Sequence, residues 1–418
     1  MAGLIGNAPI YLNGVLSLFC VFVLPGLAFV SFLDIQNFPQ RWFVAFLVSL
    51  AANHFLVTLI AALHFDPLAT YRIAVVVLIL AFVAGTMTRR YRTDATISPS
   101  GSVMRASDLG WLLLSLAGLA FTYSNVWKYG VPNVFGDGDI LVSWNAWSLI
   151  WSQGHFPTSS LGYPQFIPTI WAVTYIFTGS TEQYFAFYIY IGLITLPIAL
   201  SAMLVGRNGW WQPLIPGLVF IWFVAEIREP WLRSTLEQAF PDWVAAIFAS
   251  CGAVLFVVND DPDGRFDREK IVTSLTALCL VLIAAATKPL YGLFAVVILA
   301  GICTDACKHL DPKRRNRFVL GATGLLALFA ILYAVNYAHL VARGMPNFPV
   351  TDLWERLSRA SKLLNSNFTI PFRILLLAGL LLSPFLRRIR WLALPLYAGI
   401  WLWANTAALT CGMSLGSC

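Results

Sequence analysis

The chain has 418 residues, of which 59% are hydrophobic and 11% charged, with a mean hydropathy of +0.74. Soluble domains carry roughly 25% charged residues, so this composition excludes a water-soluble globular protein and predicts an integral membrane protein in contact with membrane lipids. The net charge of +7 does not point to nucleic acid, because Lys and Arg gather in short runs between apolar segments, the pattern that sets membrane orientation.

Apolar runs predict helices over 12–33, 42–63, 72–87, 109–126, 184–204, 213–225, 243–258, 271–287, 290–304, 318–337, 374–386 and 391–407. The expected fold class is all-α, a polytopic transmembrane helical bundle of about twelve spans with two interfacial helices in its first long outer loop. Arg41, the run Arg89-Arg90-Tyr91-Arg92, Arg207, Arg268 with Lys270, the run Lys313-Arg314-Arg315-Asn316-Arg317 and the run Arg387-Arg388-Ile389-Arg390 all fall on one side of such a bundle, expected to be cytoplasmic. The opposite side then holds 128–183, 228–242, the turn at Lys288, 339–373 and both termini. The resulting division is N-terminal transmembrane helices 1–127, an outer loop 128–183, central transmembrane helices 184–338, a basic outer loop 339–373, and C-terminal transmembrane helices with an outer tail over 374–418. The expected setting is a bacterial inner membrane with the outer loops in the periplasm. Seven cysteines lie scattered, mostly in apolar runs and without a zinc-type pair, as small buried residues do.

The first long outer loop carries the strongest chemical signal. It contains Phe135-Gly136-Asp137-Gly138-Asp139, two carboxylates one residue apart with a glycine before each. Glycines permit a tight backbone that aims both side chains at one point. Carboxylates at a membrane surface need water, a metal or a substrate. A solvated turn with Asp capping the next helix is the competing reading, and spacing alone leaves the two open. Next, Ile140, Trp144, Trp147 and Trp151 recur at helical spacing, an aromatic stripe suited to the headgroup region. The turns Gly154-His155-Phe156-Pro157 and Gly162-Tyr163-Pro164-Gln165 follow, then a second expected interfacial helix over 167–177.

Further polar residues are expected on the same side. Glu237 and Asp242 lie at the start of a span, where Asp242 also suits a helix cap. Lys288, in Thr287-Lys288-Pro289-Leu290-Tyr291-Gly292, interrupts two apolar runs; a Lys at membrane depth either meets an anion or snorkels to the surface. Arg343, Arg356, Arg359, Lys362 and Arg373 supply cations suited to phosphate in the last outer loop, where a solvated helix face is the plainer alternative.

Gly136-Asp137-Gly138-Asp139 followed by Ser143-Trp144-Asn145-Ala146-Trp147, the Gly162-Tyr163-Pro164-Gln165 turn, and the later Ala239-Phe240-Pro241-Asp242 and Thr287-Lys288-Pro289-Leu290-Tyr291-Gly292 elements together resemble the GT-C superfamily of membrane glycosyltransferases. This group is dependent on polyprenyl-phosphate sugars and includes the dolichyl-phosphate-glucose transferases, O-mannosyltransferases and aminoarabinose transferases. The likeness spans 135–292; here about three spans precede the helix leading to the acidic loop, whereas family members place that loop after their first span. The resemblance implies a cell-envelope glycosyltransferase that moves a hexosyl or pentosyl unit, for lipopolysaccharide or other glycan biosynthesis, from a polyprenyl-phosphate-linked sugar donor to a lipid or glycan acceptor. It implies Asp137 as catalytic base and Asp139 as its acidic support. Substrate contacts would come from Lys288, Asp242, Tyr163, Glu237, Arg356 and Arg359. A Mg²⁺ or Mn²⁺ ion on Asp137 and Asp139 suits hard oxygen ligands, but members that work without metal leave the cofactor open. His155 is either a groove residue or an ordinary surface histidine. Two other classes compete: an O-antigen-type polymerase or ligase, whose key Arg and His would sit in 339–373, and a secondary transporter, which would carry its polar residues at the membrane midplane.

Overall fold

A computed structural model describes residues 8–33, 35, 38–94, 135, 140–160, 163–204, 239, 241–258 and 268–340. Among the described residues regular structure is helical and no strand occurs. The chain divides into two compact units. One comprises Met1–Leu218, Glu237–Ile247 and Ala330–Ala342; the other comprises Val219–Leu236, Phe248–Phe329 and Arg343–Cys418.

The first unit opens with α1 (Ala8–Phe22) and α2 (Leu24–Ser31), which replace the single straight span expected over 12–33. The two are bent by 41° at Val23. Pro25 falls in the first turn of α2, where its missing N–H is tolerated but cannot continue the α1 ladder. The neighbouring helix α3 (Phe38–Leu63) satisfies groups around the bend. The Gly26 N–H donates to Ser49 Oγ at 2.8 Å, and Asn53 Nδ2 donates to the Cys20 carbonyl at 3.0 Å and to the Ser49 carbonyl at 2.7 Å. In a membrane such side-chain bonds are what let a broken helix persist. Helix α4 (Pro67–Asp94) adds the Tyr71 hydroxyl, which donates to Asn53 Oδ1 at 3.1 Å.

Five described helices are long and apolar enough to cross a membrane, namely Pro39–Leu63, Pro67–Thr88, Lys270–Thr287, Gly292–His309 and Pro312–His339, or six with the bent α1–α2 pair. The expected spans at 109–126, 213–225, 374–386 and 391–407 lie outside the described residues. The Pro67–Thr88 stretch is 11% buried and the Lys270–Thr287 stretch 72%. The first therefore presents an apolar exterior of the kind lipid covers, and the second is the centre of its unit.

The span expected over 184–204 is two short helices, α7 (Tyr184–Ile194) and α8 (Leu196–Leu204). Thr195 ends the first and Pro197 stands in the opening turn of the next. Before them come a π-helical turn (Ile140–Asn145), α5 (Ala146–Ser152) and α6 (Phe166–Thr178). The aromatic stripe expected along the headgroup region is covered by protein instead. Ile140, Trp144, Trp147 and Trp151 are all buried, and every residue of α6 from Phe166 to Ile176 is buried. The aromatic stripe meets protein, because α1 and α3 pack on α6, and α6 in turn covers α5. With 13 residues, α6 is about 20 Å long, well short of a hydrocarbon core of roughly 30 Å.

In the second unit α10 (Arg268–Thr287) packs against α11 (Gly292–His309), with a 3₁₀ turn (Pro289–Tyr291) between them. Gly252 on α9 (Pro241–Val258) lets that helix lie close to α10: a Cβ there would fall 2.7 Å from Val281 Cγ1 and 3.0 Å from the Ala277 carbonyl oxygen. The remaining described helix, α12 (Pro312–Leu340), starts in this unit and ends in the first. The cysteines at 20, 251, 279, 303 and 307 are free thiols.

Candidate functional site

The acidic pair departs from a fixed point. Phe135 is fully buried, its ring stacks on Trp171 of α6 with centroids 4.5 Å apart, and it meets Phe187 of α7 edge-on at 6.1 Å. Its backbone N–H donates to Gln183 Oε1 at 2.8 Å. On the far side Ile140 is fully buried. Gly136, Asp137, Gly138 and Asp139 therefore lie in sequence between two anchored residues; the four themselves lie outside the described residues. The indole N–H of Trp171, on which Phe135 stacks, is buried and meets no acceptor among the described residues.

The chain after Ile140 takes a π-helical turn before entering α5; such single turns are rare and concentrate at functional positions. Asn145, the last residue of the turn, accepts a hydrogen bond from the Tyr175 hydroxyl of α6. Burial raises the Tyr175 phenol above its ordinary range, so it stays a neutral donor. Trp144 and Trp147 pack against each other at 5.3 Å and against Tyr163 at 6.1 and 5.9 Å. Tyr163 remains 50% exposed, whereas the two tryptophans are 3% and 7% exposed. The result is one accessible aromatic ring backed by two buried ones, on the helical segment that follows the acidic pair.

Gln165 closes this loop. It is buried, accepts the Trp151 indole N–H at 2.9 Å and donates through Nε2 to the Tyr163 carbonyl at 2.6 Å. One side chain thus ties the end of α5 to the backbone that presents Tyr163. Gln165→Leu keeps the volume but strands the buried indole donor, which costs about 1–3 kcal/mol. The expected result is a lower thermal unfolding temperature in detergent.

The turn Gly154 adopts φ +77°, and a Cβ there would lie 3.2 Å from the Pro67 ring and 3.3 Å from the Phe65 carbonyl oxygen. The first loop therefore sits at the α3–α4 turn, the end of the N-terminal helices that the charge pattern assigns to the same side. The C-terminal end of α12 reaches it too: the His339 ring stacks on Phe156 with centroids 4.2 Å apart at 14°, and Phe156 meets Trp151 edge-on at 4.9 Å.

Of the residues nominated from sequence, Asp137, Asp139, Glu237, Arg356 and Arg359 lie outside the described residues. This includes both carboxylates considered for Mg²⁺ or Mn²⁺. Tyr163 is exposed at the loop surface. Asp242 is exposed in the first turn of α9, next to Pro241, where a carboxylate is favoured by the helix dipole. Ala239, two residues before α9, is buried in the left-handed region at φ 72°, a position that strains any residue with a Cβ. Lys288 is half-buried and extended between α10 and the 3₁₀ turn, its N–H donating to the Ala284 carbonyl at 2.8 Å. It belongs to the second unit, whereas Tyr163 and Asp242 belong to the first. His155 is exposed. Gln165, Gln183 and Trp171 carry no signal in the sequence: polar or aromatic residues next to turns have no diagnostic spacing, and their role exists only once α5, α6 and α7 are packed.

No protein-family model matches the chain, and no curated protein or solved structure does.

Proposed function

We propose that the chain is a membrane glycosyltransferase that moves a sugar from a polyprenyl-phosphate donor to a lipid or glycan acceptor at the end of the bundle where the first loop lies. The observation that carries this reading is that Asp137 and Asp139 lie in sequence between two buried anchors, Phe135 and Ile140, in a loop that also carries the exposed ring of Tyr163. Anchoring of that kind suits a base whose position must be held while an acceptor hydroxyl is deprotonated. An aromatic face suits a sugar ring, whose C–H edge is apolar.

In this mechanism Asp137 takes the proton of the acceptor hydroxyl as its oxygen forms a bond to the anomeric carbon. The bond from that carbon to the lipid phosphate oxygen breaks, and the phosphate leaves as an anion. It needs no proton, only cations to stabilise its charge. Lys288, Arg356 and Arg359 are the candidates, with Asp139 supporting the base. Glu237 and Asp242 stand as hydroxyl acceptors for the sugar. Direct displacement requires inversion at the anomeric carbon.

The test is transfer by the purified chain from a panel of polyprenyl-phosphate sugars to membrane glycolipid extracts, with the product's anomeric configuration read by NMR. An inverted product supports the mechanism, and a retained configuration overturns it.

A second reading rests on the His339–Phe156 stack, which brings the start of the last outer loop onto the first. An O-antigen-type polymerase or ligase would use that late loop. His339→Ala with loss of turnover, alongside full turnover in Asp137→Asn, would favour it.

A further inference from the structure

The helices that precede the acidic loop in sequence pack on α6, and one buried side chain makes a polar contact with it. His54 of α3 is 2% exposed, and its Nδ1 lies 2.7 Å from Thr169 Oγ1 on α6. The Thr169 hydroxyl has one hydrogen, which it donates to the Phe166 carbonyl at 2.7 Å. With that hydrogen on the Phe166 carbonyl, the His54 contact is Nδ1–H donating to Thr169 Oγ1. The imidazole also packs on the Phe166 ring at 5.3 Å. At the other end of α6, Phe177 meets Tyr71, whose hydroxyl is held by Asn53, the residue next to His54. Helix α6 is thus gripped at both ends, and between them it carries Trp171, on which Phe135 stacks.

We propose that His54 is a positioning residue: through Thr169 it fixes α6, and through α6 it fixes the Trp171–Phe135 stack from which the acidic pair departs. The N-terminal helices are, on this view, the frame of the first-loop site. The kinetic consequence rests on the transferase reading; the structural consequence does not.

Hydrogen exchange of the full chain in detergent tests the structural part. His54→Leu should speed exchange about tenfold in peptides covering 163–178 and 135–151, which corresponds to a local opening easier by about 1.4 kcal/mol, and leave α10 and α11 unchanged. His54→Asn, whose Nδ2 stands where Nδ1 stood and still donates, should restore slow exchange. Thr169→Val removes the acceptor with little change of shape and should reproduce the Leu pattern, which keeps the test available if His54→Leu does not fold. Uniform acceleration throughout the chain, no change over 135–151, or failure of Asn to restore protection would each overturn the proposal. With a sugar donor, His54→Leu should lower kcat and kcat/KM together, as expected when a base is misplaced in the transition state. If wild type transfers no sugar but the exchange pattern holds, the transferase reading fails and the frame stands. If Asp137→Asn abolishes transfer and the exchange pattern is absent, the reverse applies.

Discussion

Asp137→Asn is expected to abolish sugar transfer while leaving the protein folded. The substitution keeps the size of the side chain and both flanking glycines, and it removes only the charge and the capacity to take a proton. General-base catalysis contributes about 10²–10⁴-fold, so the initial rate should fall by at least that factor, with little change in the donor concentration needed for half-maximal rate. Asp139→Asn should lose less, because a supporting carboxylate can be replaced in part by water. The flanking anchors support folding of the variant: Phe135 and Ile140 are held by Trp171, Gln183 and the packed core. The measurement pairs initial rates with elution profile and thermal midpoint for each variant. Equal rates in wild type and Asp137→Asn would move the base out of the first loop and direct attention to His339 and 339–373.

Gly26→Val is expected to cost the fold itself. A Cβ at Gly26 would lie 1.7 Å from the Ala45 carbonyl oxygen and 2.3 Å from its carbonyl carbon. These are backbone atoms inside α3, so no rotamer change relieves the overlap and the two helices must separate. Separation also breaks the Gly26–Ser49 bond, leaving polar groups of a bent helix without partners where water is scarce. Overpacking alone costs about 1–3 kcal/mol, occasionally more, and the lost hydrogen bond adds about 1–3 kcal/mol. Little monodisperse protein should survive mild heating in detergent. Gly14 offers an instructive contrast. A Cβ there would meet the ring of Phe185 at 2.1 Å, and a ring can shift where a carbonyl cannot, so Gly14→Ala should be milder. A Cβ at Gly321 or Gly324 would meet nothing within 4 Å among the described residues, and Ala at either should be neutral or stabilising by up to about 1 kcal/mol.

How far the amino-acid order reaches is clear from individual elements. The helices α3, α4, α10 and α12 are legible because long apolar runs end at charge, Pro or Gly, and a membrane leaves the backbone few alternatives to a helix. The acidic pair and Tyr163 are nominated by residue type and spacing alone. The bend at Val23 is not legible, although Pro25 is plain in the sequence, because whether a proline kinks a span depends on which neighbour satisfies the freed groups. Ser49 and Asn53 are that neighbour, more than twenty residues away.

The sequence by itself determined helices long and apolar enough to cross a membrane and where they lie, and it nominated the residues proposed for chemistry. Only the tertiary structure decided which faces are covered by protein. Ile140, Trp144, Trp147 and Trp151 make the same stripe whether headgroups or α6 lie against it, because helical periodicity records that a face is apolar and not what covers it. In the fold that face turns inward. The same packing gives Gln165, Trp171 and His54 their roles: each acts through a partner distant along the chain, and such pairings come into being only when the helices meet.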